Sequence, residues 1–157
     1  MELYLFRHGI ADNGSPDAER KLTDKGREKT ALMVRRAKQA GVEPSLILSS
    51  PYVRALQTAE VAALEFGYQE PLVRIESLVP HGTPEAVWND ISDHRAEPSI
   101  LLVGHEPLLS YLAAWLLAAP ALRVEMKKSA MVRIDVESFR GSPHGILRWM
   151  MVPRLAE

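Results

Sequence analysis

Four side chains of this sequence have the types and the setting for chemistry on a phosphate group. Arg7 and His8 stand in LFRHGIADNG, Arg54 in SSPYVRALQTAE and His105 in VGHEPLLSYL. A guanidinium offers planar, paired N–H donors that match the oxygens of a phosphoryl group, and it keeps its charge at any ordinary pH. An imidazole can attack phosphorus through a ring nitrogen or, when it carries a proton, donate to a phosphoryl oxygen. Gly9, directly after the Arg-His pair, would let the backbone approach an anion closely. A helix starting near Pro51 would aim N–H groups at the same place. Taken singly, a His at a strand end is ordinarily structural, and an Arg at a helix start is ordinarily solvated or ion-paired. The combination, each member beside a Gly, Ser or Pro turn, reads as a phosphate pocket. Two His could also ligate a metal, but Arg7 beside one of them would repel a cation and no carboxylate cluster accompanies the pair.

The elements that must position these residues alternate along the chain. Leu3 to Phe6, Leu46 to Leu48, Leu72 to Ile75 and Ile100 to Val103 are short apolar runs bounded by Pro, Ser or Gly, the pattern of strands buried on both faces of a sheet. Between them lie helical segments with their punctuation. Thr23 is an N-cap before DKGREKTALMVRRAKQA, which Gly41 follows; Ser50 is a cap, with Pro51 at the first helical position, and Gly67 closes that helix. Thr83 and Pro84 repeat the start signal, and Glu106 to Ala119 reads as a mostly buried helix. SAMVRIDV and GILRWMM flank a turn region and suggest a closing hairpin. Strands separated by helices imply right-handed crossovers, so the expected fold is α/β: a three-layer α/β/α sandwich with a mainly parallel central sheet, spanning residues 1–157 as a single domain. Ligands of such sheets bind beyond the carboxyl ends of the strands, which is where Arg7-His8-Gly9, Ser49-Ser50-Pro51 and Gly104-His105-Glu106 fall.

Composition narrows the function classes. The chain has 157 residues, enough to bury roughly 68 to 70% of the surface its unfolded form exposes. It has no Cys, which excludes thiolate nucleophiles, disulfides and Cys-ligated zinc. A net charge of -1 argues against nucleic acid or an anionic membrane as the partner. Met1 leads directly into ELYLFR with no secretory h-region, and no apolar run reaches the ~20 residues of a membrane span, so a cytoplasmic location is expected. His81, His94 and His144 fall in loop or surface contexts and receive no role as ligands or nucleophiles. Trp88, Trp115 and Trp149 fall in separate elements and suit core packing.

LFRHGIA, SSPYVRALQTAE and VGHEPLLSYL, in that order, resemble the three signature segments of the histidine phosphatase superfamily, also called phosphoglycerate mutase-like. The short length and the Leu22-Thr23 pair before the first helix resemble its small SixA-type branch, the phosphohistidine phosphatases. The resemblance implies that His8 is the nucleophile and passes through a phosphohistidine intermediate. It also implies that Arg7, Arg54 and His105 hold the phosphoryl oxygens, with Gly9 in the phosphate-binding segment. Water then releases inorganic phosphate, and the chemistry asks for no metal and no organic cofactor. The proton donor to the leaving group is open: many relatives place a carboxylic acid after the third strand, where Glu76 and Glu85 stand here with His81 between them. Glu106 is a further candidate, although an acidic residue at a helix start is also favourable on its own account.

Three functions follow from this pattern. The first is a phosphatase acting on phosphohistidine of a protein partner, supported by the shortness of the segment from Pro71 to Ser99, which holds one helix and a loop but no long lid. The second is a small-molecule phosphomonoesterase of the same superfamily. The third, from another class, is a non-catalytic phosphate-binding module, in which a His nucleophile among Arg side chains would have no purpose.

Overall fold

The computed structural model of the protein describes residues 1–14 and 16–157. Six strands form one sheet in the order β3-β2-β4-β1-β5-β6, with β1 over Glu2–Arg7, β2 over Leu46–Ser49, β3 over Val73–Arg74, β4 over Ser99–Gly104, β5 over Met131–Asp135 and β6 over Ile146–Met151. The pairs β1 with β4, β4 with β2 and β2 with β3 are parallel; β1 with β5 and β5 with β6 are antiparallel, so the expected hairpin closes the sheet. Side chains alternate across β1: Leu3 and Leu5 pack with Trp88, Leu108 and Leu112 on one face, while Tyr4 and Phe6 pack with Met33, Val34 and Ala59 on the other. The first face is covered by α3 (Pro84–Asp93) and α4 (Leu108–Leu116). The second is covered by α1 (Asp24–Gln39) and α2 (Val53–Phe66), with the short α5 (Pro153–Ala156) against α1. This is the expected three-layer α/β/α arrangement with a mainly parallel sheet. All four of Leu3, Tyr4, Leu5 and Phe6 are wholly buried, each contributing about 1.5–3 kcal/mol where its apolar side chain leaves water.

Local signals account for most element ends. Thr23 caps α1 by accepting the Gly26 N–H at 3.0 Å, and Thr83 caps α3 by accepting that of Ala86 at 3.3 Å. Gly67 ends α2 with φ of 75°, in the left-handed region that favours glycine. Three expectations need correction. The third strand is two residues long rather than four, and Val73 and Arg74 are not buried on both faces, because β3 is an edge strand paired only with β2. Helix α2 begins at Val53, not Pro51: the Ser50 hydroxyl accepts the N–H of Tyr52 at 3.2 Å and makes a turn of residues 50–52 before the helix starts. Helix α4 is shorter than Glu106 to Ala119, with Pro107 at its N-cap and Ala118 at φ of 51° just beyond its end. Among the described residues no helix is long and apolar enough to cross a membrane. Trp88 stacks on Phe139 at 4.9 Å and lies 5.8 Å from Trp115, and Trp149 lies 5.9 Å from Tyr4, as core packing requires.

Candidate active site

Parallel register brings three strand ends to one edge. Arg7 pairs with Gly104 across β1 and β4, and Ser49 pairs with Val103 across β2 and β4. The backbone continues the pairing one residue further: His8 N–H donates to Gly104 O at 3.0 Å, and Ser50 N–H donates to Val103 O at 2.9 Å. His8 and His105 therefore leave neighbouring strands side by side, with ring centroids 5.0 Å apart. Arg54, the second residue of α2, reaches the same point and donates from Nε to His8 Nε2 at 3.2 Å. Arg54 and both histidines are at most 5% exposed.

The hydrogen bonds decide what each ring can do. His8 Nδ1 lies 2.7 Å from Gly9 O, an atom that only accepts, so Nδ1 carries the proton and Nε2 keeps its lone pair. Burial, aided by the Arg54, Arg7 and Lys128 cations and only partly opposed by the Gly9 carbonyl, pushes the His8 imidazole down to about 3. It is neutral at neutral pH, with its lone pair on the nitrogen that faces Arg54. His105 Nε2 lies 2.7 Å from Ser50 Oγ. The Ser50 oxygen also accepts from Tyr52 and has one proton to give; when that proton serves His105 Nε2, the ring proton sits on Nδ1. Burial, together with His8, Arg54 and Arg7 and against the opposing Asp17 carboxylate, holds His105 down to about 2. It too is a neutral imidazole. Its Nδ1 is buried and bonded to no described residue.

Arg7 is anchored from the opposite side. Its Nη1 donates to Met126 O at 2.6 Å, its Nε is buried and unpaired among the described residues, and burial holds the guanidinium below its ordinary value, with Glu106 opposing and Arg54 adding to the shift. Unpaired buried donors cost free energy, on the order of 1–3 kcal/mol each. Arg7 Nε is such a donor and His105 Nδ1 is a second buried nitrogen without a partner among the described residues, and the two residues leave adjacent strands at one sheet edge.

A superfamily model described as the histidine phosphatase superfamily (branch 1) matches residues 3–79. The phosphohistidine phosphatase SixA of Escherichia coli (strain K12) is 29% identical over 157 residues, covering 98% of this chain and 94% of the relative. A solved structure of the protein histidine phosphatase SixA complexed with tungstate superposes with a TM-score of 0.89 and 27% identity, covering the whole of both chains. The chain belongs to the histidine phosphatase superfamily. It is a phosphatase of the SixA-type branch, and it is also 36% identical to an uncharacterised protein of Picosynechococcus sp., over 92% of this chain and 90% of that one.

Other residues around this candidate site were not legible in the sequence. Asp17 accepts from Arg54 through both its backbone oxygen, at 2.6 Å from Nη1, and its carboxylate, at 3.2 Å from Nη2. Partial burial would raise this carboxyl, but hydrogen bonds from Arg20 and Arg54 hold it below its ordinary range. Thr58 accepts the Gly9 N–H at 3.1 Å and donates to Arg54 O at 2.8 Å, tying the end of β1 to α2. Lys128, half-buried, adds a cation close enough to lower His8. The ring of Tyr52 lies 5.2 Å from that of His105 and 5.3 Å from the Arg54 guanidinium carbon. Asp17 carried one faint signal, as an acidic residue in the loop that leaves the first strand end.

Gly9 also answers a packing need. Its N–H is engaged by Thr58, and a Cβ at this position would lie 2.6 Å from Thr30 Oγ1 and 3.0 Å from Gly26 O. The absent side chain lets α1 pack against the strand end. The three acid candidates do not join the cluster: Glu76 and Glu85 are exposed, and no hydrogen bond or ion pair links them or His81 to His8, Arg54 or His105. Glu106 lies nearer, lining a cleft with Arg7, but its Oε1 accepts the Ser110 N–H at 2.9 Å in the first turn of α4.

Proposed function

We propose that this phosphatase hydrolyses phosphohistidine on a protein partner, with His8 as the nucleophile. The observation that carries this reading is the bond from His8 Nδ1 to Gly9 O, which fixes the tautomer and leaves Nε2 as the attacking atom among cationic groups. In the first step the Nε2 lone pair forms a bond to phosphorus as the bond from phosphorus to the leaving imidazole breaks. That electron pair stays on the departing nitrogen, and a proton already held by the other nitrogen of the substrate ring lets the group leave as neutral imidazole. In the second step water attacks phosphorus, the electron pair of the His8–phosphorus bond returns to Nε2, and inorganic phosphate leaves. Charge on the equatorial oxygens is stabilised by Arg7 and Arg54, with Nδ1–H of His105 as a neutral donor. For Arg54 to serve, its Nε–H must move from His8 Nε2 to a phosphoryl oxygen as substrate enters.

The choice of phosphohistidine rests on the leaving group. Glu76, Glu85 and His81 make no bond to the cluster, and Glu106 is engaged at the start of α4. A protonated imidazole departs readily, whereas an alkoxide needs an acid. The similarity to proteins called phosphohistidine phosphatase and protein histidine phosphatase supports the same choice. The discriminating experiment measures phosphate release from a phosphohistidine protein, an aryl phosphate and alkyl phosphates in parallel. Turnover of the first two, with alkyl phosphates slower by orders of magnitude, is expected; equal turnover of alkyl phosphates overturns the choice of substrate.

A further inference from the structure

Beside Arg7 a groove of about 530 Å³ is walled mainly by apolar surface, from Ile10, Val152, Pro153 and the stems of five cationic side chains whose charged ends rim it. The cations are Arg7, Lys29, Lys127, Lys128 and Arg154, and no carboxylate lines the groove among the described residues. They converge from separate parts of the chain: Lys29 from α1, Lys127 and Lys128 from the segment before β5, and Arg154 from α5. In a chain of net charge -1 this concentration of one sign is local. A second cleft that Arg7 and Lys127 also line differs, since Glu106 and Glu125 stand among its cations. Two of the five cations have carboxylate partners. Lys29 has Glu157 at 3.9 Å and Lys127 is paired with Glu125, while Arg154 is exposed and without an ion pair among the described residues.

We propose that this groove docks an acidic segment of the phosphohistidine-bearing partner. Its carboxylates engage Lys29, Lys128 and Arg154 while the phosphoryl group enters beside Arg7. The inference rests on the reading of the site as a protein phosphohistidine phosphatase. Two features favour a run of acidic side chains over a single small anion. The volume is in the range that takes a drug-sized ligand or several side chains, and the cations are spread over four segments, β1, α1, the stretch before β5 and α5. Complementary charge at such a rim speeds encounter and selects partners, and it is weakened by salt.

The test uses Lys29→Glu, Arg154→Glu and the double variant, none of which touches the catalytic cluster. The substrates are phosphohistidine peptides flanked by Asp and Glu, the same peptides flanked by Asn and Gln, and an aryl phosphate. The wild-type protein is expected to favour the acidic peptides, with the preference shrinking at high salt. The double variant should lose about tenfold in kcat/KM on the acidic peptides, mainly through KM, while turning over aryl phosphate as before. Equal use of acidic and neutral peptides by the wild-type protein overturns this inference alone, as does a double variant that slows aryl phosphate as much as the acidic peptides. Preference for a bisphosphorylated small molecule over its monophosphate, without preference among peptides, assigns the groove to a second phosphate and also overturns it. Turnover of aryl phosphate with no turnover of any phosphohistidine peptide overturns the substrate class and this inference with it.

Discussion

Lowering the pH from 7 to 5 should destabilise this protein through His8 and His105 themselves. Both rings are buried and neutral, held down to about 3 and about 2, whereas in the unfolded chain a histidine titrates near its ordinary value of 6.5. Below 6.5 the unfolded chain binds protons that the folded protein refuses. The stability these groups contribute is therefore complete above 6.5 and is lost progressively as the pH falls toward their folded values. Each such group costs about 1.4 kcal/mol per pH unit in that window, so descending from 6.5 to 5 removes roughly 2 kcal/mol for each ring and about 4 kcal/mol for the pair. That is a large part of the 5–15 kcal/mol usual for a domain. The window avoids Asp17 and Asp135, whose carboxyls lie below their ordinary 3.8 in the fold and which therefore matter only at lower pH. Urea unfolding at pH 7, 6 and 5 measures the slope, and the His8→Ala, His105→Ala double variant supplies the control. The wild-type slope should exceed that of the double variant by about two protons taken up on unfolding near pH 5. Identical slopes would show that the rings are charged in the fold or do not differ from the unfolded chain, and the account of a neutral nucleophile would fall with them.

Arg54→Ala should remain folded but lose about a hundred- to a thousandfold in kcat, because a preorganised donor to transition-state charge is gone; Arg54→Lys should recover only part. Steady-state phosphate release checks both, and near-normal turnover of the alanine variant removes Arg54 from the chemistry. Gly9→Ala should destabilise by about 1–3 kcal/mol in urea titration, since the new methyl meets Thr30 Oγ1 and the Gly26 carbonyl at the α1 contact; unchanged stability would contradict the packing role of this glycine. Glu76→Gln, Glu85→Gln and Glu106→Gln should each leave phosphohistidine turnover within a few-fold of wild type, whereas a folded variant with none would identify an essential acid.

Much of the site was legible because parallel crossovers make sequence order imply spatial order. Once β1, β2 and β4 are read as parallel neighbours, the residues after each must share an edge, and His8, Arg54 and His105 meet there. Caps at Thr23 and Thr83 were legible for a similar reason, as their signals lie within three residues of the amides they satisfy. What escaped depends on contacts between distant segments. Asp17 meets Arg54 across 37 residues, and Met126 O meets Arg7 across 119; neither pairing has a local pattern. The packing need at Gly9 escaped for the same reason, since the space its Cβ would take is filled by Thr30 and Gly26, and its N–H is held by Thr58, on two distant helices. The late start of α2 turned on a competition that composition does not rank. Ser50 was read as a cap preceding Pro51, but its hydroxyl satisfies Tyr52 and His105 instead, which moves the helix start to Val53 and orients the second imidazole.

The central claim is that His8 Nε2 becomes covalently phosphorylated during turnover. Rapid quenching of the working enzyme in alkali, followed by mass-spectrometric mapping of the labelled protein, tests it directly, because phosphohistidine survives base and decomposes in acid. The account predicts base-stable, acid-labile label on His8, absent together with turnover in His8→Ala and retained in part in His105→Ala. Label on Ser49, Ser50 or His105, or substantial turnover by His8→Ala, would contradict it.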